Sequence, residues 1–171
     1  MKKALIIYYS EQEKGKISNE EKVAAELERI FKKAEFNVTK TLLETKKKME
    51  MKLQLKMEKA LELKEKIPPL TSFDLVIVGS PIIGSLTSAP AINTFLRQLP
   101  KNIKNQKPKF VLYSTGILPG FAIKKMQSLL SMKGESILDS ETFTSIFEFD
   151  SKKLLEVDKF YSRFMDKLAN L

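Results

Sequence analysis

Apolar residues come along this chain in short runs that alternate with helical stripes. Lys3 to Tyr9, KALIIYY, is a compact apolar run and predicts a first buried strand. Ser10 to Ser18 is polar and holds a single glycine, Gly15. Val23, Ala24, Leu27, Ile30 and Phe31 then repeat at helical spacing, so a helix is expected through about Lys33. Ser18 or Asn19 can cap it, and Glu20 and Glu21 fall in its first turn, where the helix dipole favours acids. Phe36 to Leu43 reads as a second strand.

The third strand is Leu75-Val76-Ile77-Val78, which Gly79-Ser80-Pro81 should end. Ile82 to Pro90 carries no charge and reads as a loop. Ile92, Phe95, Leu96 and Leu99 return to helical spacing. Phe110 to Tyr113 is a fourth strand, closed by Ser114-Thr115-Gly116. Phe121, Ile123, Met126, Leu129 and Leu130 mark a further helix, stopped by Gly134. A fifth strand is expected around Ser136 to Ile146. Asp150 or Ser151 then caps a last helix with Leu154, Leu155, Val157, Phe160, Phe164 and Leu168 on its apolar face.

Thr45 to Ile67 gives two signals. Met49, Met51, Leu53, Leu55 and Met57 alternate with polar residues, as in a strand. The residue types favour helix, with no β-branched residue from Lys46 to Lys66. Helix is the expectation, with a hairpin against Phe36–Leu43 as the alternative. A helix here has a second apolar side, Met51 and Leu55, which allows a homodimer contact. Pro68-Pro69 ends the element.

Strands and helices thus alternate through the chain. That order predicts an α/β fold: a doubly wound, five-stranded parallel sheet with helices on both faces and right-handed crossovers. At 171 residues, with no repeat or linker, residues 1–171 read as one domain.

Composition narrows the chemistry. Cys 0 and His 0 exclude thiolate nucleophiles, disulfide frameworks, iron–sulfur clusters, imidazole bases and histidine metal ligands. Redox chemistry on such a chain has to come from a cofactor. No apolar run approaches the ~18 residues of a membrane span. The start, MKKALIIYYS, lacks a small-residue cleavage site before EQEKGK, so it reads as a strand and the cytoplasm as the expected compartment. The 30 lysines and arginines behind the net charge of +9 are interleaved with 21 acidic residues, which makes a solvated lysine-rich surface the plain reading and a nucleic-acid role the weaker one.

Three strand ends carry small polar residues: Ser10, Gly79-Ser80-Pro81 and Ser114-Thr115-Gly116. In a sheet of order 2-1-3-4-5 the switch point lies between the first and third strands, and these ends face one crevice. A helix N-terminus there suits a phosphate. Each such residue taken alone is an ordinary turn former.

The segments GSPIIGSLTSAPAINTFL, STGILPG and KALIIYYS, together with the element order, resemble the flavodoxin family over essentially the whole length. The resemblance implies FMN as cofactor and a redox partner protein or small-molecule acceptor. It places the phosphate near Ser10, Ser18 and Asn19. It places the flavin ring between Pro81, Ile82, Ile83 and Gly84 on one side and Ser114, Thr115 and Gly116 on the other. The chain departs from the family at three points. The first loop is long. Glu20 stands where a threonine is common, and would need Lys14, Lys16 or Lys22 to offset its charge. Ile83 replaces an aromatic ring contact. Electron transfer or flavin-dependent reduction is therefore expected, with a cofactor-free binding module as the alternative. Nucleic-acid or membrane-surface binding through 46–66 is the third reading.

Overall fold

The computed structural model describes residues 1–10, 16–46, 61–83, 87–100, 108–118, 120–145 and 148–170. The strands are β1 (Lys3–Tyr8), β2 (Asn37–Leu42), β3 (Leu75–Ile83), β4 (Thr87–Ser88), β5 (Lys109–Gly116) and β6 (Ile137–Thr144). The helices are α1 (Asn19–Lys33), α2 (Pro90–Gln98), α3 (Phe121–Ser131) and α4 (Ser151–Ala169). Five strands pair parallel in the order β2-β1-β3-β5-β6, which is the expected 2-1-3-4-5 arrangement. The short β4 is an addition, paired antiparallel with the end of β3.

Alternation along the central strands loads both faces. Leu5, Ile7, Val76, Val78, Phe110 and Leu112 face Ile92, Phe95 and Leu96 of α2 and Met126 and Leu130 of α3. Ala4, Ile6, Leu75, Ile77, Val111 and Tyr113 face Val23, Leu27 and Phe31 of α1 and Val157, Phe160 and Phe164 of α4. Strands buried on both sides need continuous apolar runs, which is why KALIIY and LVIV lack polar alternation. The edge strand β2, NVTKTL, is polar, and Lys40 pairs with Glu28 of α1 at 2.6 Å.

Caps set the helix starts. The Ser18 hydroxyl accepts the Glu21 N–H at 3.0 Å, and the Asp150 carboxylate accepts the Lys153 N–H at 2.9 Å. Gly134, at φ 80°, turns the chain after α3, as expected. Ser18→Ala should lower stability by about 1 kcal/mol, read as a shift in the denaturant midpoint. No shift would mean that the cap is replaced by water.

Four expectations differ from the structure. β5 runs on through Ser114 and Thr115 to Gly116 instead of closing after Tyr113. Gly79-Ser80-Pro81 does not end β3, because β3 runs on beside β5, with Ser80 opposite Ser114 and Pro81 opposite Thr115. By alternation from Gly79, whose carbonyl accepts the Tyr9 N–H at 3.3 Å, Pro81 turns its nitrogen towards the side where β1 has already ended. No ladder bond is lost there. Ile82 to Pro90 is not simply a loop: Ile82 pairs with Ser88 and Ile83 with Thr87. The helix expected over Thr45–Ile67 fails at both described ends. Thr45 bridges Leu63 in antiparallel sense, flanked by Lys46 N–H to the Glu62 carbonyl and Lys64 N–H to the Glu44 carbonyl, both 2.9 Å. This extended pairing satisfies the backbone while Leu63 and Ile67 pack on the α2 side of the sheet. The alternative partner, Phe36–Leu43, pairs instead with β1. Residues 47–60 lie outside the described residues.

Candidate functional site

The carboxyl ends of β1, β3 and β5 come together at one edge through register and through α1. Tyr8 lies opposite Gly79, and Pro81 opposite Thr115. Gly79 makes the junction possible: a Cβ built on it would stand 2.0 Å from Cζ of Tyr113. The Tyr113 ring crosses that space, and its hydroxyl donates to the Glu20 carbonyl at 3.0 Å. The Thr115 hydroxyl donates to the Glu20 carboxylate. Asn19 accepts the Phe149 N–H at 2.9 Å, which seats the first turn of α1 against the entry to α4. The start of α1 is therefore held directly against the end of β5.

The expected ligand contacts divide into two groups. Ser10, Asn19, Ile82 and Gly116 are partly exposed at this edge. Ile82 packs on Gly116, where an added Cβ would lie 2.9 Å from the Ile82 Cδ1. The others are turned inward. Ile83 is 1% exposed and belongs to the core against α2 and α3, so its side chain cannot cover a ring at the rim. The β3–β4 pairing draws it there. Ser114 is fully buried, with its hydroxyl 2.9 Å from that of Thr142 on β6. Ser18 spends its hydroxyl on the helix cap, and Thr115 spends its own on Glu20. Pro81 is buried. Gly84 lies outside the described residues.

Polar groups next to the crevice hold the backbone as well. The Ser80 hydroxyl accepts the Ala89 N–H at 2.7 Å and donates to the Pro81 carbonyl at 2.9 Å. Ser88 and Asn93 bond to each other, and Asn93 also donates to the Ser88 carbonyl at 3.1 Å. These buried bonds fix the end of β3 and β4 onto the start of α2.

The residues that line the rim with apolar surface come from elsewhere. Ile117 and Leu118, directly beyond Gly116, are 64% and 47% exposed, and Phe121, at the start of α3, is 47% exposed. Ile17, before α1, is 58% exposed. Large apolar side chains held in water beside a strand-end crevice suit a flat apolar ligand. The run Ile-Leu-Pro-Gly-Phe straight after a strand end was the available signal for them.

Glu20 is the feature of the site that matters most electrostatically. Its residue is 7% exposed, in the first turn of α1. Lys22 does not offset it: its ammonium lies 3.1 Å from Glu148 and 3.3 Å from the Phe149 carbonyl. Lys16 is exposed, and Lys14 lies outside the described residues.

Two tyrosines near this edge are hard to ionise. Burial pushes the Tyr8 phenol up to about 12, with the charges of Glu21 and Glu28 adding to the effect. Burial, followed by the charges of Glu20 and Tyr8, holds Tyr113 well above its ordinary value. Both favour the neutral phenol in the folded state. Their contribution to stability is complete below about pH 10 and is lost as pH rises towards the folded-state values. An ultraviolet titration of the folded protein should therefore leave Tyr8 and Tyr113 silent until the chain unfolds. Ionisation of all four tyrosines near pH 10 without unfolding would contradict this.

A separate cavity of about 600 Å³ lies on the α2 side, between the 61–71 segment and the second half of α2. Its acids are engaged: Glu62 pairs with Lys46 at 2.6 Å, and Glu65 accepts the Glu44 N–H at 2.8 Å. It contains none of the strand-end residues.

No protein-family model matches the chain, and no curated protein does either. Solved structures do match. A Lactobacillus acidophilus flavoprotein in complex with FMN is 16% identical, with a TM-score of 0.61 over 94% of this chain and 99% of that one. A flavodoxin from the domain Archaea is 12% identical, with a TM-score of 0.61 over 98% and 99%. Rubredoxin oxygen:oxidoreductase from Desulfovibrio gigas is 16% identical, with a TM-score of 0.61 over 98% of this chain and 37% of that one. The fold is flavodoxin-like. Identities this low establish the architecture, and the site has to be argued from its own residues. In this flavodoxin-like chain the described residues directly beyond Gly116 are apolar and uncharged. The helix end already holds a carboxylate. Among the described residues no helix is long and apolar enough to cross a membrane.

Proposed function

We propose that the protein binds a flavin at the carboxyl edge of its sheet and serves in electron transfer or flavin-dependent reduction. The observation that carries this reading is the exposed apolar pair Ile117 and Leu118, which follows Gly116 at the end of β5, with Phe121 exposed at the start of α3. The flavoprotein from L. acidophilus, whose fold is similar, is in complex with FMN, which makes FMN the first flavin to test. The flavin would supply the redox chemistry, since the chain has neither cysteine nor histidine. Ile82, Gly116, Ile117 and Leu118 would hold the ring and keep water from it. Ser10 and Asn19 would lie towards the side chain of the flavin. The phosphate of FMN fits less well than the ring. Glu20, buried in the first turn of α1, would oppose a phosphate there by like-charge repulsion. A redox protein, or a small acceptor, would take the electrons.

A second reading is a cofactor-free binding module, and the buried Glu20 is what favours it. Visible absorption of the purified protein separates the two, before and after titration with FMN and riboflavin. Flavin bands, or saturable fluorescence quenching by either flavin, supports the first reading. A colourless protein that quenches neither supports the second.

A further inference from the structure

We propose that the Glu20 carboxylate is a built-in occupant of the anion position at the start of α1, and that it makes the site select an unphosphorylated flavin over FMN. The choice between flavins rests on the flavin reading above; the occupancy itself does not. First-turn N–H groups and the helix dipole make this end of α1 a natural phosphate site. Here the first turn is served from within the chain. Ser18 accepts the Glu21 N–H, and Glu20 places a negative charge of its own in the same turn.

Glu20 is held there at two points. Its carbonyl accepts from Tyr113, and its carboxylate accepts from Thr115. Both partners come from β5 and are buried, at 0% and 2% exposure. The residue is therefore not a surface acid free to swing away from an incoming phosphate. Lys22, the cation closest in sequence, is turned to Glu148. A phosphate brought to this turn would meet a like charge in a poorly solvated place. A neutral ribityl chain carries no charge for Glu20 to oppose. Glu20 acts on the ligand by charge and takes no part in electron transfer; it is a specificity-determining residue.

The test uses the full chain, Glu20→Gln and Glu20→Thr, with riboflavin, FMN and inorganic phosphate as probes. Gln keeps the shape of Glu and can still accept from Thr115. Riboflavin should bind the natural protein about tenfold or more tighter than FMN, and Glu20→Gln should tighten FMN about tenfold while leaving riboflavin nearly unchanged. At constant ionic strength, phosphate should raise the melting temperature of both variants and not that of the natural protein. A natural protein that prefers FMN, with the preference unchanged in Glu20→Gln, overturns the proposal and leaves the flavin reading standing. If no protein binds either flavin, the flavin reading falls and phosphate decides the role of Glu20. Stabilisation confined to the variants supports occupancy of the anion position. An equal effect on all three proteins overturns it.

Discussion

Phe31→Ala should lower the unfolding free energy by about 3–5 kcal/mol, the range for emptying a buried phenylalanine site. Phe31 is fully buried near the end of α1. Its ring centroid lies 4.9 Å from that of Phe36, 5.0 Å from Tyr161 and 5.9 Å from Phe164. Those three partners belong to the approach to β2 and to α4. One ring therefore joins three elements, and truncation opens a cavity among rigid rings that cannot close it. Phe160 continues the cluster at 5.1 Å from Phe164, with the Arg163 guanidinium 5.3 Å from its ring. Phe31→Leu keeps most of the volume and should cost less than about 2 kcal/mol. Denaturant unfolding measures both. A loss under about 1 kcal/mol for the alanine variant would show that α1 is not seated by this cluster. The result bears on the site because the same helix carries Ser18, Asn19 and Glu20 at its other end.

What the sequence made legible follows from how local each determinant is. The apolar runs of β1 and β3 and the stripe of α1 are set by burial within their own segments, so their periods can be read directly. Strand–helix alternation likewise implies the parallel sheet, whereas the particular order 2-1-3-4-5 comes with the flavodoxin resemblance. β3 runs past the expected end at Val78 because Gly-Ser-Pro is a strong breaker only where a strand has neighbours on both sides. Beyond Gly79 that condition lapses, since β1 has ended. The hairpin back to β4 is fixed by Ser80 bonding Ala89, a contact nine residues away whose partner no periodicity reveals. Ile83 and Ser114 were expected at the crevice because they sit in motif positions. Their direction depends on the β3–β4 and β5–β6 pairings, and both turn inward. Glu20 stood out in the sequence as an acid beside an expected phosphate. That it is buried against Thr115 depends on residues 95 positions apart. For Thr45–Ile67 residue type and periodicity disagreed, and the described ends are decided by pairing between Glu44–Lys46 and Glu62–Lys64, which neither signal encodes.

Gly79→Ala is expected to destabilise the protein by about 3 kcal/mol, the upper end for overpacking by a single methyl group. Glycine is required at this position by a close approach. The added Cβ would fall 2.0 Å from Cζ, 2.2 Å from the hydroxyl and 2.4 Å from Cε1 of Tyr113. The ring has nowhere to retreat. It is 0% exposed, flanked by Phe143 at 6.4 Å between centroids, and tied at its far end to the Glu20 carbonyl. Either the strands separate locally or Tyr113 leaves its seat and gives up that hydrogen bond. The second outcome has its own signature: a displaced Tyr113 becomes easier to ionise, so one further tyrosine should titrate before unfolding. Tyr113→Val removes the ring that clashes, so the double variant Gly79→Ala, Tyr113→Val should lose less stability than the two single losses added together. Strict additivity would place the effect in β3 itself. A Gly79→Ala variant within about 0.5 kcal/mol of the natural protein would mean that the ring can move freely. Glu20 would then not be held through its carbonyl, and of the two bonds from β5 only the one from Thr115 to its carboxylate would remain.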